Sequence, residues 1–194
     1  MSEQNDNRFV IYLLEHTDGE TSHQRLLRCA SVYTGLPAET FRREQEDGQK
    51  PVLTGGPDLH FSVSHSGNWW VCAFGPRPVG LDLQQHRPCR REAIAKRFFH
   101  PDEVTWLEAQ DFAEEAFFRL WAAKESYVKL TGGGLGQGFE TFSAVEPLPP
   151  SPQWKHIPFL PDYSLCLCTQ QAAEVTLIPL SPINQHHDQP EVTI

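Results

Sequence analysis

From Glu114 to Leu130 the apolar residues recur at helical spacing, and at about 100° per residue Phe117, Leu120, Trp121 and Val128 share one sector. Lys124 projects into the middle of that sector, and Glu125 and Lys129 follow Trp121 at successive i, i+4 steps along its edge. Upstream, Arg8 to Leu14 (RFVIYLL) is a run of strand formers. Thr21 to Tyr33 has helical spacing at Leu26, Leu27, Ala30 and Tyr33, with Thr21 or Ser22 as the cap and Gly35 just past the end. A polar loop follows, ending in GQKP at Gly48 to Pro51. Leu59 to Ser64 alternates as a strand, Ser66 to Asn68 forms a turn, and Trp69 to Phe74 is apolar on both faces, as in a buried strand. Val79 to Leu83 predicts a further strand, with Val79, Leu81 and Leu83 on one face and Gly80, Asp82 and Gln84 on the other.

Glu92 to Phe99 reads as a helix, and Pro101 opens another at the first-turn position that proline favours. The long helix stops at TGGGLGQG, and FETFSAV, DYSLCLCT and AEVTLIPL supply three strand candidates. The order is strand, helix, three strands, helices, three strands. It predicts an α+β fold of two similar halves, each a helix packed on a small antiparallel sheet. The boundaries expected are 1–88 for the N-terminal half, 89–180 for the C-terminal half and 181–194 for a polar, frayed tail.

A chain of 194 residues is long enough for one domain or two small fused ones. Its net charge of −9 argues against a general nucleic-acid binder. Locally, Arg87 to Arg97 carries five basic residues against Glu92 alone, which is either an anion site or a solvated helix face. Five cysteines without a CxxC read as reduced thiols, and Cys166 and Cys168 as small hydrophobes on one strand face. The start of the chain lacks an apolar signal region, and no run of about 18 apolar residues occurs, so a cytoplasmic protein without membrane contact is expected.

Three constellations carry chemistry. Asp82 lies between two leucines in an interior strand, so it must be paired or metal-bound. Mg²⁺ takes hard oxygens, usually one or two carboxylates with substrate phosphates, whereas a structural Asp would bond to loop amides. Ser64-His65-Ser66-Gly67 ends a strand as an anion-binding corner or as a plain hydrogen-bonded turn, and a serine hydrolase is disfavoured because GxSxG is absent. Glu125 and Lys129 suit an ordinary surface pair worth about 0.2–0.5 kcal/mol. Lys124 does not, and its place in the apolar stripe predicts a buried anionic partner, such as a substrate phosphate. The glycine run is not a P-loop, since it follows a helix and lacks GK[ST].

GQKP, HFSVSHS, VGLDLQ and FxxLWAAKESYVKLTGGGL, in this order and spacing from about Gly35 to Val145, resemble the Sfp-type 4'-phosphopantetheinyl transferases. The resemblance implies a pseudo-twofold pair of α+β halves with coenzyme A between them. It implies transfer of phosphopantetheine to a serine of an apo carrier protein, with Mg²⁺ or Mn²⁺, leaving adenosine 3',5'-bisphosphate. By position, Asp82 and Glu125 would hold the metal, with Gln84 as a weak or water-mediated third ligand. Glu125, or a water it orients, would take the serine proton, and Lys129 would hold the pyrophosphate or the transferred group. Lys50, Pro51, Ser64, His65 and Lys124 would join Lys129 in binding coenzyme A, the first two against the adenine and its phosphates, Ser64 and His65 on the 3'-phosphate.

Three departures from the family pattern stand out. Gln84 replaces an acid that is common two residues after the aspartate, and GQKP carries an extra side chain. The family's basic segment for the 3'-phosphate is missing between the first strand and first helix, where only EHTDGETSHQ stands, and Arg25 and Arg28 are the nearest cations. A non-catalytic relative that binds coenzyme A or a carrier protein is the alternative reading. Peptide-synthase, polyketide, siderophore and fatty-acid carriers all stay open, and a pseudo-dimeric fold predicts a monomer.

Overall fold

The computed structural model describes residues 7–16, 19–133, 138–145 and 152–181. The expected frayed tail beyond Ser181 and the middle of the glycine run, 134–137, lie outside the described residues.

The first sheet has Arg8–Glu15 (β1) and Trp69–Gly75 (β5) at its centre, with His60–Ser66 (β4) beside β5 and Glu174–Pro179 (β9) beside β1. β9 runs parallel to β1, while the pairings of β1 with β5 and of β5 with β4 are antiparallel. The second sheet is antiparallel and orders Val79–Gln85 (β6), Tyr163–Thr169 (β8) and Gln153–Ile157 (β7). A short ribbon pairs Arg42–Glu44 (β2) with Val52–Thr54 (β3). The sheets are therefore not built from consecutive segments. β6 precedes residue 88 yet belongs to the second sheet, and the late strand β9 covers an edge of the first.

The helices follow local signals. Ser22–Thr34 (α1) starts in a capping box, the Gln24 N–H donating to Thr21 Oγ1 at 3.2 Å and the Thr21 N–H to Gln24 Oε1 at 2.8 Å. It ends on Gly35 in the left-handed conformation, at φ 76°. Arg91–Phe98 (α2) and Pro101–Glu108 (α3) lead into Glu114–Thr131 (α4), which stops on Gly132 at φ 73°.

The layers run α1, first sheet, second sheet, α4. Phe9, Ile11, Leu13, Val71 and Ala73 of the first sheet share one buried cluster with Val79, Leu81, Leu83, Leu165 and Leu167 of the second. Each such large side chain contributes roughly 1.5–3 kcal/mol by leaving water. The outer face of the first sheet packs Tyr12, Leu14, Trp70 and Phe74 with Leu26, Cys29 and Ala30 of α1. Cys166 of the second sheet lies against Ala122 and Ala123 of α4, and Cys168 is buried on the same strand, both thiols being free.

β4 and β6 are edge strands of different sheets, yet side chains stitch them together. The amides of Leu81, Leu83 and Gln85 donate to the hydroxyls of Ser62, Ser64 and Ser66 at 2.9, 3.1 and 2.9 Å. The period-2 serines of FSVSHS thus satisfy a strand edge that has no backbone partner on that side among the described residues.

One strand expectation is corrected. FETFSAV is not a strand: Phe139–Thr141 forms a 3-10 turn, and the next residues are tied to helices. Lys124 Nζ donates to the Phe142 carbonyl at 2.8 Å, and the Ala144 N–H donates to Glu103 Oε1 at 2.8 Å. β7, which the sequence pattern did not predict, pairs with β8, and its Trp154 Nε1 donates to the Ala123 carbonyl of α4. Among the described residues no helix is long and apolar enough to cross a membrane.

Candidate active site

Where β4 and β6 meet, a cleft of about 920 Å³ opens between α1, the β2–β3 ribbon and α4. Gly80 makes the site geometry possible. A Cβ there would collide with the Ser126 carbonyl of α4, so its absence lets β6 lie directly against the helix. Asp82, two residues on along the same face, then meets Glu125 and Lys129, which are one turn apart on α4.

Asp82 is 2% exposed, and its carboxylate is fully engaged. Oδ1 accepts from Lys129 Nζ at 2.6 Å and from Ser64 Oγ at 2.9 Å, and Oδ2 accepts from Gln84 Nε2 at 2.8 Å. Lys129 Nζ also donates to Ser64 Oγ at 2.9 Å. Ser64 therefore faces the Asp82–Lys129 pair, while the neighbouring His65 is exposed at the cleft. Glu125 is half-buried and makes no side-chain hydrogen bond among the described residues. Burial pushes its carboxyl above the usual range, the Asp82 charge adds to this, and Lys129 opposes it.

Lys50 and Pro51 line the same cleft. Lys50 Nζ donates to the Val79 carbonyl at 2.6 Å, and burial lowers its pKa to about 8, with the Lys129 charge acting the same way.

Three expected cations are placed elsewhere. Lys124 does not line the cleft: it is wholly buried, and its anionic partner is Glu103 of α3, at 2.7 Å. The Phe142 ring lies 4.0 Å from its ammonium, and burial depresses the lysine pKa against the opposing pull of Glu103. The apolar stripe did demand an anion, but the protein supplies it, so Lys124 is corrected from a substrate contact to an internal tie. Arg28 is held by Glu20 at 2.9 and 2.8 Å and donates to the Ser181 carbonyl. Arg25 is buried beside the same Glu20 and His16, and neither arginine lines the cleft.

The cleft also contains residues that sequence reasoning missed, notably His23 at the start of α1 and Arg43 and Gln45 from β2 and the segment after it. No local pattern marked them, because their relation to Asp82 is purely tertiary.

The residues present suit a hard divalent cation. Glu125 is a desolvated carboxylate without a hydrogen-bond donor among the described residues, beside a second carboxylate whose like charge a cation would relieve. Among the described residues no three His, Cys, Asp or Glu converge on one point, so the protein offers two carboxylates, with the Gln84 amide as a neutral third donor. A hard divalent cation held there would complete its shell with further oxygen donors.

A family model of the 4'-phosphopantetheinyl transferase superfamily matches residues 78–177, the stretch that holds Asp82, Glu125 and Lys129. The chain belongs to this superfamily. It is 45% identical over 110 residues to the 4'-phosphopantetheinyl transferase Sfp of Bacillus subtilis, covering 56% of this chain and 49% of that one. A second 4'-phosphopantetheinyl transferase from Bacillus subtilis is 44% identical over 116 residues, or 59% of this chain and 51% of that protein. The 4'-phosphopantetheinyl transferase HetI of a Nostoc species is 34% identical over 169 residues, covering 80% of this chain and 70% of its own. The matched stretches span about half the length of the two Bacillus relatives. The α+β architecture, with a helix on the outer face of each sheet, is the fold expected of the superfamily.

Proposed function

We propose that this chain transfers 4'-phosphopantetheine from coenzyme A to a serine of an apo carrier protein. The observation that carries the reading is the meeting of Asp82, Glu125 and Lys129 at one end of a cleft large enough for a nucleotide. In the reaction the serine oxygen bonds to the phosphorus that bears the pantetheine arm. The pyrophosphate P–O bond breaks, and adenosine 3',5'-bisphosphate leaves with the bonding electrons. Mg²⁺, held by Asp82 and Glu125, would neutralise the pyrophosphate as charge moves onto the leaving group.

The protein's own residues do the rest. Glu125, whose environment favours its protonated form, accepts the serine proton directly or through one water. Lys129 reaches into the cleft from α4 and, on leaving Asp82, places its ammonium on the phosphate oxygens. Lys50 and Pro51 form the wall that the nucleotide lies against, and His65 reaches it from the exposed end of β4. Ser64 holds Lys129 and Asp82 in register rather than facing the solvent side of the cleft. The working unit would be a cytoplasmic monomer built as two exchanged halves.

Incubation of the purified protein with coenzyme A, Mg²⁺ and a panel of apo carrier proteins tests this by intact mass. The holo form of at least one carrier is expected. Gln84 in place of an acid gives some support to a binding-only relative, and tight carrier binding in calorimetry with no holo product would select that reading.

A further inference from the structure

The two outer strands of the second sheet border different cavities. β6 borders the cleft, whereas β7, at the sheet's other edge, borders a cavity of about 380 Å³ that shares no lining residue with it. This second cavity lies where α3, α4 and β7 meet. Trp154 Nε1 donates to the Ala123 carbonyl at 2.8 Å, which sets β7 against α4 and holds the indole in place as a wall. Arg119 stands one turn before Ala123, about 6 Å along the helix axis, and His156 lies two residues beyond Trp154 on the same strand face. Trp106, Leu120, Val145 and Pro152 supply apolar lining.

The polar groups in this cavity are unpaired among the described residues. Arg119 makes no hydrogen bond or ion pair there: Glu114 is taken by Arg91, and Glu115, one turn earlier on α4, forms no ion pair with it. His156 makes no side-chain hydrogen bond among the described residues. Burial, with the Arg119 charge adding to it, lowers the His156 pKa to about 4, so the imidazole is neutral near pH 7. Lys155 points to the other face and donates to the Ala173 carbonyl. No Asp, Glu or Lys is among the described lining residues, so the Arg119 guanidinium is the charge that a ligand there would meet.

We infer that this cavity is a second ligand site, which takes a small aromatic monocarboxylate with its carboxylate on Arg119 and its rings among Trp106, Leu120 and Trp154. One unopposed cation calls for one negative charge, and the planar guanidinium fork matches a carboxylate through two parallel charge-assisted hydrogen bonds. The neutral His156 and Gln153 can add hydrogen bonds without adding charge. Two indoles and an apolar remainder suit a flat hydrocarbon body. The volume is less than half that of the cleft, a size for a one- or two-ring acid. The site stands apart from the transfer reaction, since the cavities share no residue.

Calorimetric titration of the full chain at pH 7 with 2-naphthoate and with its neutral counterpart 2-naphthamide tests this without requiring turnover. The wild type is expected to bind the acid about tenfold more tightly than the amide, and Arg119→Gln to lose most of that difference by weakening the acid alone. Arg43→Gln, in the other cavity, is expected to keep the wild-type ratio. A wild type that binds neither compound, or both equally, overturns the inference, as does an Arg119→Gln protein that keeps the preference. Loss of the preference in Arg43→Gln also overturns it, because the acid would then sit in the cleft. Circular dichroism of Arg119→Gln, whose side chain is exposed on α4, checks that the fold is unchanged.

Discussion

Lys129 Nζ lies 2.6 Å from Asp82 Oδ1, and this contact joins α4 to β6. Asp82 is nearly inaccessible while Lys129 is partly open to the cleft, so the ammonium compensates a carboxylate that water cannot reach. The same lysine holds Ser64, so three groups from three elements share one proton-donor network.

Lys129→Met is therefore expected to destabilise the fold by about 1–3 kcal/mol, since it leaves a buried carboxylate short of a charged donor. Asp82→Asn in the same protein should recover part of that loss. Urea denaturation of both single variants and the double variant reads the coupling, and strictly additive losses would show that the contact contributes nothing.

Glu125→Gln should stabilise the metal-free protein at neutral pH while abolishing transfer. Because the folded protein raises the Glu125 pKa, its stabilising effect is present at pH below the unfolded value and is lost as pH rises through the folded one. Ionised Glu125 thus costs stability at pH 7, and the neutral amide removes that cost. Thermal melts at pH 7 without divalent cations should show a higher Tm for the variant, and an unchanged or lower Tm contradicts the desolvation argument.

Lys50 should give donor capture a basic limb. Its lowered pKa of about 8 means that the ammonium is present below that pH and is lost above it, so kcat/KM for coenzyme A should fall as pH rises through about 8. Lys50→Arg, which keeps its charge, should move that fall to higher pH. A profile identical in the two proteins would assign the limb to another group.

The Lys124–Glu103 pair predicts a large, local effect. Lys124→Met strands a buried carboxylate that also accepts from the Ala144 N–H, so a loss of about 3–5 kcal/mol is expected. Combining it with Glu103→Gln should restore much of the stability. Equal stability of Lys124→Met and wild type in urea would mean the pair is not closed in solution.

Legibility in the sequence tracked the range of the interactions involved. α1 and α4 could be read because their signals are local: a capping box at Thr21, a glycine stop at Gly35 and Gly132, and apolar spacing between. Asp82 stood out because an acid between two leucines violates its strand's pattern, whereas Glu125 and Lys129 fit an ordinary surface pair and were marked only by the family resemblance. β2 and β3 are three residues each, too short to leave an alternation, and β7 is hidden between prolines. The parallel pairing of β9 with β1 joins residues some 166 apart, as the Arg8–Glu174 bond shows, and nothing in either segment names its partner. Lys124 illustrates the limit most directly. Its position demanded an anion, but Glu103, 21 residues earlier, satisfies it, and only the fold brings them together.

The most direct test compares holo-carrier formation by the wild type, Asp82→Ala and Glu125→Ala, by intact mass with coenzyme A and Mg²⁺. The account predicts that the wild type converts an apo carrier to its holo form, and that both variants keep the wild-type circular dichroism spectrum yet leave the carrier apo. Holo product from either variant at the wild-type rate would contradict the assignment of this chemistry to the Asp82–Glu125–Lys129 cleft.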